Sequence, residues 1–216
     1  MSAKENKKAS ATQSKTDRAA AMRAEREAAE RRGKRWNYAI AGLAVVVVAG
    51  LVALALTMDK DSDDVEIAGL STFDDVAADH TEQPVEYEQT PPVGGMHSEA
   101  LLNCGIYSEP VPNENAVHSL EHGAVWITYD PSLADEDVAD LREYVTDLRN
   151  SVRQYVVVSP YEGLPAPVIA SAWARQVQLD GVSDERLGQF IDQFVRGTQS
   201  PEPGAPCSGG VGTPDA

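Results

Sequence analysis

One uninterrupted apolar segment constrains this chain more than any other feature of its sequence. Residues 39–58 carry no charged side chain and include a run of four consecutive valines. A helix of about twenty apolar residues is long enough to cross the roughly 30 Å hydrocarbon layer of a membrane. A buried core helix would usually show a polar stripe, which this segment lacks. The sequence therefore predicts a transmembrane helix over residues 36–58, with Trp36 and Tyr38 at the interface.

The charge of the chain reverses across this segment. Residues 1–38 hold eleven basic and five acidic residues, so the net charge of −16 divides into +6 before residue 39 and −22 after it. Basic residues beside a membrane span stay on the cytoplasmic side. We therefore expect a single-pass protein of the cell membrane with a cytoplasmic N-terminus and an extracytoplasmic C-terminal domain. The alternative is a signal peptide cleaved near Ala53–Leu54–Ala55, which would export the same domain.

Composition divides the chain into five parts. They are a basic cytoplasmic leader (1–35), the transmembrane helix (36–58), an acidic linker (59–67), an extracytoplasmic globular domain (68–207) and a flexible tail (208–216). The exported part is strongly acidic, whereas nucleic-acid binding needs clustered lysine and arginine. We therefore expect no nucleic-acid partner.

The chain contains two cysteines, Cys104 and Cys207. Because exported domains lie in an oxidising compartment, we expect these cysteines to form a disulfide. Closing a loop of about a hundred residues stabilises a fold by roughly 4–5 kcal/mol in the chain-entropy model. The alternative role for Cys104 is that of a metal ligand or redox thiol.

Periodicity in the exported part predicts alternating strands and helices. Strands are expected over 124–129, 155–158 and 168–179, and helices over 133–152 and 183–197. Ser132 and Ser183 have the character of N-caps for the two helices, and Gly197 is expected to end the second one. This order predicts an α/β or α+β fold in which helices flank a small mixed sheet.

The histidines give the main functional signal. All four lie between residues 80 and 122, namely His80, His97, His118 and His122. A short helix ended by Gly123 would place the imidazoles of His118 and His122 on one face. His97 follows a loop of paired prolines and paired glycines, a composition that can hold a side chain in a fixed position.

Imidazole nitrogens are common ligands of zinc and copper. The sequence therefore predicts a copper or zinc site formed by His97, His118 and His122. Met96 would add a soft ligand and Glu121 a carboxylate, and His80 is a further candidate. The site would serve metal binding, delivery or sensing.

Three other interpretations remain open. The histidines would form a buried hydrogen-bonded network without a metal, or the domain would be an accessory subunit of a respiratory or envelope membrane complex. A hydrolase would need Ser98 or Ser119 beside a histidine and an acid, but the sequence has no GxSxG motif, no GxGxxG motif and no phosphate-binding loop. No catalytic residue is predicted.

Several motifs in a fixed order resemble those of a known bacterial family. They are the segments 90–97, 104–107, 116–131 and 201–207. Together they are similar to the mainly actinobacterial domain-of-unknown-function family numbered 3105, whose members typically have a membrane anchor and one exported domain. The resemblance implies no activity, but it directs attention to His97, His118, Glu121 and His122. Many relatives have a tryptophan where this chain has Leu101, Leu102 or Asn103.

Overall fold

The computed structural model of this protein describes residues 66–215. The predicted leader, the transmembrane helix over 36–58 and almost all of the acidic linker lie outside this range. Within residues 66–215, no helix combines the length and the apolar character needed to cross a membrane.

Six strands and four helices make up the described part of the chain. The strands are β1 (Ser71–Thr72), β2 (Gly105–Ile106), β3 (Val125–Tyr129), β4 (Val156–Pro160), β5 (Val168–Ala172) and β6 (Arg175–Leu179). The helices are α1 (Asn113–Glu121), α2 (Asp135–Asp147), α3 (Asn150–Arg153) and α4 (Glu185–Phe194). The strands form one mixed sheet in the order β1-β6-β5-β3-β4-β2. Strands β2, β4 and β3 pair in parallel, whereas β5 and β6 pair antiparallel with their neighbours.

Strand β3 lies at the centre of the sheet and is buried on both faces. Its residues Val125, Ile127 and Tyr129 belong to the larger apolar core, to which α2 and α4 also contribute. Trp126, which points to the opposite face, belongs to a second core with Val117 and other residues of α1. The sheet therefore separates α1, which carries two of the histidines, from α2 and α4.

The predicted fold class is confirmed as an α+β fold with a small mixed sheet, although three features of the helices differ from the prediction. The helix predicted over 133–152 is two helices, because Leu148 has an extended backbone (ψ 147°). The N-cap of α4 is Asp184 rather than Ser183, and its carboxylate accepts the backbone N–H of Arg186. Ser132 does not cap α2, because Ala134 occupies the N-cap and the Ser132 N–H donates to the Asp130 side chain.

The Cys104–Cys207 disulfide is confirmed, with the two Cα atoms 5.4 Å apart. Beyond it, the chain runs along β2, where the N–H of Val211 donates to the Leu101 carbonyl and the N–H of Asp215 donates to the Ile106 carbonyl. In the segment predicted as a flexible tail (208–216), Gly210, Val211, Gly212 and Asp215 form hydrogen bonds with the body of the domain.

Candidate metal centre

Helix α1 presents three potential ligands on one face near its C-terminal end. His118, Glu121 and His122 are spaced three and four residues apart, so their side chains lie side by side, and all three are buried. His122 is the C-cap, and Gly123 follows with φ +91°. A Cβ atom at Gly123 would lie 2.8 Å from the Cα of Arg196, so both the backbone angle and the close packing require glycine.

A glycine loop places His97 against this face. The Val93 carbonyl accepts the N–H of Ala174, which fixes the loop to the turn between β5 and β6. Gly94 has φ +149°, and a Cβ atom there would lie 2.5 Å from the Val76 side chain. His97 follows this tight approach and is 0% exposed. The paired glycines therefore let the loop pack closely enough to bury an imidazole in the interior.

The three buried histidines share one orientation. Their Nδ1 atoms lie 2.8, 2.7 and 2.7 Å from backbone carbonyl oxygens, those of Gly95 for His97, Ser98 for His118 and Pro206 for His122. Because a carbonyl oxygen can only accept, we assign the proton of each neutral ring to Nδ1, which leaves Nε2 as an unprotonated acceptor. Metal-binding histidines typically donate their other ring N–H in this way, which fixes the tautomer.

Four ligand atoms converge near the Glu121 carboxylate. His97 Nε2 lies 3.0 Å and His80 Nε2 lies 3.6 Å from Glu121 Oε2. Together with one atom of His118, these ligand atoms all lie within 4.8 Å of one another. Tetrahedral zinc with bonds of about 2.0–2.1 Å places its ligand atoms about 3.3 Å apart. The four-residue group therefore has the composition of a metal site. To bind an ion, the ligand atoms that are farthest apart would have to move closer together.

His122 contacts His118 but does not belong to the four-residue group. The Nε2 atoms of the two rings are 3.1 Å apart, and His122 Nε2 is 3.5 Å from Glu202 Oε2. Since both rings place their Nδ1 proton on a carbonyl, two acceptors face each other in this contact. Such a contact is favourable only when a proton or a cation lies between the two nitrogens.

Burial favours the metal-binding form of His118. Desolvation lowers the pKa of this imidazole, and the neighbouring His122 and His97 lower it further, while the Ser98 carbonyl and Glu121 oppose the shift. The neutral ring, which offers a lone pair at Nε2, is therefore favoured at neutral pH. His80 differs from the other histidines because its side chain is 44% exposed, so it opens the cluster to solvent.

The structure brings most of the predicted site residues together. His97, His118, Glu121 and His122 form one cluster, and a backbone bridge between His80 and His97 adds His80. Met96 is 44% exposed, whereas His97, the next residue, is fully buried. Sequence reasoning missed Glu202 and the Pro206 carbonyl, although their closeness to the predicted disulfide was a usable signal.

The two serines beside the histidines have structural roles. The Ser119 hydroxyl donates to the Leu102 carbonyl at 2.7 Å, and the Ser98 hydroxyl oxygen accepts the N–H of Ala100. Neither hydroxyl makes a hydrogen bond to a histidine among the described residues. The arrangement does not support a serine nucleophile.

Comparison with known proteins adds a family but no activity. The family of proteins of unknown function DUF3105 matches residues 79–209, which include both cysteines and the whole histidine cluster. The chain belongs to this family. No curated protein and no solved structure matches the chain. Within this DUF3105 domain, the histidine cluster is the feature that indicates a function.

Proposed function

We propose that this DUF3105 protein is anchored in the cell membrane and binds one transition-metal ion in its extracytoplasmic domain. The ligands are His80, His97, His118 and Glu121, whose ligand atoms converge within 4.8 Å. The observation that carries the proposal is the shared orientation of the buried rings, which turn Nδ1 to backbone carbonyls and direct Nε2 into the cluster.

A metal explains the buried contacts better than a network of neutral side chains. With the Nδ1 proton on the Gly95 carbonyl, a neutral His97 directs a lone pair at the carboxylate of Glu121, 3.0 Å away. The contact needs an extra proton or a cation. A divalent ion bound by both groups removes the repulsion and also neutralises the buried carboxylate.

The ligand chemistry favours zinc or copper(II). Three imidazoles and one carboxylate are borderline and hard ligands, which suit these ions better than copper(I), a soft ion that prefers thiolate and thioether ligands. The two cysteines are joined in the disulfide, so no thiolate is available, and Met96 is exposed to solvent, unlike the buried histidines.

The exposure of His80 supports a role in exchanging the ion. A structural zinc site is usually closed, with four protein ligands shielded from solvent. Here one ligand is 44% exposed, so an ion can reach the other three through the His80 side. We therefore propose metal binding for delivery or sensing at the outer face of the membrane, where the transmembrane helix predicted over residues 36–58 would hold the domain.

The test is equilibrium binding of zinc and copper(II) to the full-length protein in mild detergent. We expect one ion per chain by elemental analysis after dialysis. His97→Gln should lower the affinity at least about tenfold in calorimetry, because it removes a buried ligand. Glu109→Gln, which removes an exposed carboxylate outside the cluster, should leave the affinity unchanged.

Absence of bound ion in the wild-type protein would contradict the proposal. The accessory-subunit interpretation would then be favoured, and stoichiometric co-purification of another membrane protein would support it. Affinity that is equal in the wild type and in His97→Gln would also contradict this ligand set.

A further inference from the structure

The row of potential ligand atoms continues beyond the four-residue group, with His118 as the residue that both parts share. Glu121 Oε2 contacts His97 Nε2 and His80 Nε2 at one end. At the other end, His118 Nε2 contacts His122 Nε2, which in turn lies 3.5 Å from Glu202 Oε2. The row begins at one exposed side chain, His80, and ends at another, Glu202, which is 59% exposed.

Two separations at the outer end of the row are compatible with a second ion position. Separations of 3.1 Å between the Nε2 atoms of His118 and His122 and 3.5 Å between His122 Nε2 and Glu202 Oε2 lie on either side of the ligand separation of about 3.3 Å in a tetrahedral site. The two facing acceptors of His118 and His122 are an independent sign that a cation belongs there.

The C-terminal segment builds this outer position. The N–H of Glu202 donates to the Glu121 carbonyl, and the N–H of Gly204 donates to the His122 carbonyl, both at 3.0 Å. The Pro206 carbonyl, 84 residues along the chain from His122, accepts the Nδ1 proton of that ring. The disulfide then ties the next residue, Cys207, to the body of the domain. These bonds therefore hold the backbone of Glu202 and the ring of His122 beside each other.

We propose that a single zinc or copper(II) ion exchanges between two positions that share His118, and that it moves in this way between His80 and Glu202. This inference rests on the proposed function. The inner position uses His80, His97, Glu121 and His118, and the outer position uses His118, His122 and Glu202. Because the one lone pair on His118 Nε2 binds one ion at a time, occupation of the two positions is mutually exclusive. Replacing ligands one by one lets the ion move without being stripped of all its ligands in the buried interior.

The test is electron paramagnetic resonance of the full-length protein in detergent with half an equivalent of copper(II). We expect two overlapping cupric signals in the wild type. His122→Gln should leave only the signal of the inner position, and His80→Gln should increase the share of the outer one. Glu202→Gln should lower the ratio of outer to inner signal about tenfold, because it removes one ligand. Glu162→Gln, which removes an exposed carboxylate elsewhere, is the matched control.

The two proposals fail in different ways. Copper that binds with one signal, unchanged in His122→Gln and Glu202→Gln, would overturn the exchange but keep the proposed metal binding. Protein that binds neither copper(II) in this experiment nor zinc in calorimetry would overturn both, and would indicate that a proton joins His118 and His122. If His122→Gln fails to fold, the exposed residue Glu202 carries the test, since its side chain is not part of the core.

Discussion

His97 and Glu121, which are 24 residues apart in the chain, meet through a 3.0 Å contact between Nε2 and Oε2. Both side chains are buried, and the His97 Nδ1 proton is already bonded to the Gly95 carbonyl. The contact therefore joins a lone pair to a carboxylate unless a proton or an ion lies between them. This pair makes Glu121 the side chain on which the metal proposal can be tested most directly.

Replacing Glu121 by glutamine should weaken metal binding without unfolding the domain. The glutamine amide can donate to the lone pair of His97 Nε2, so the contact becomes an ordinary hydrogen bond, but the ion loses an anionic ligand. We expect the affinity for zinc to fall at least about tenfold in calorimetry. The metal-free variant should be at least as stable to urea as the metal-free wild type. Equal zinc affinity in both proteins would exclude Glu121 as a ligand.

The stability of the metal-free protein should decrease as the pH falls below about 6.5, the ordinary pKa of histidine. Burial lowers the pKa of His118 in the folded state, so the unfolded chain binds more protons in the range between the folded and the unfolded pKa. His118 therefore contributes stability above pH 6.5 that is lost as the pH falls through its folded pKa.

Urea unfolding at pH 7.5, 6.5 and 5.5 measures this loss when the protein has been treated with a chelator. His118→Asn removes the titrating ring, so its stability should depend less steeply on pH than that of the wild type. Identical pH dependence in the two proteins would show that burial of His118 does not affect folding.

Removing the disulfide should destabilise the domain and also weaken metal binding. The bond joins cysteines that are 103 residues apart, and loss of a native disulfide typically costs about 2–5 kcal/mol. We expect the double variant Cys104→Ala/Cys207→Ala to lose this much stability in urea. Because Pro206 would no longer be fixed beside His122, zinc affinity should fall as well. Wild-type protein treated with a reducing agent should show the same shift, and an unchanged midpoint in both cases would contradict the expectation.

A methyl group at Gly94 should disturb the loop that carries His97. The added Cβ atom would lie 2.5 Å from Val76 and 3.2 Å from Trp173, and overpacking of this kind costs about 1–3 kcal/mol. Gly94→Ala should therefore lose stability in urea and bind zinc more weakly.

The control for this prediction is Gly163→Ala. Gly163 also has a positive φ, of 75°, but nothing lies within 4 Å of an added Cβ atom. Gly163→Ala should lose only the stability that comes from placing alanine at a positive φ. A smaller loss at Gly94 than at Gly163 would contradict the role assigned to close packing.

Local patterns predicted the regions of the four longer strands, β3 to β6, because buried strands have apolar and β-branched runs, but not β1 and β2, which are two residues long each. Val125–Tyr129 is a continuous β-branched and aromatic run, and it lies where such runs are expected, at the centre of the sheet. The break at Leu148 was not predictable, since the apolar spacing continues through it. The N-cap of α4 was also not predictable, because Ser183 and Asp184 are adjacent and both residue types cap helices. The Arg186 side chain stabilises the Asp184 carboxylate and lowers its pKa to about 2.

The parts of the site that depend on residues close together in the sequence were predictable. The spacing of His118 and His122 on a helix predicted their common face, and the glycine loop predicted a fixed position for His97. The contacts of Glu202 and Pro206 depend on how the end of the chain returns to α1, and the predicted disulfide indicated only that this segment lies near the body of the domain. The exposure of Met96 likewise follows from the direction of the loop after Gly95.

The described residues after Cys207 run beside β2, an outer strand of the sheet, with a bridge between Leu102 and Val211 and a bond from Asp215 to Ile106. Unpaired outer strands offer a template on which other chains can add and aggregate. This segment shields the backbone of β2 from such growth. A protein shortened after Cys207 would keep its histidines but expose the unpaired backbone of β2. Its first defect would therefore be self-association in concentrated solution rather than loss of fold.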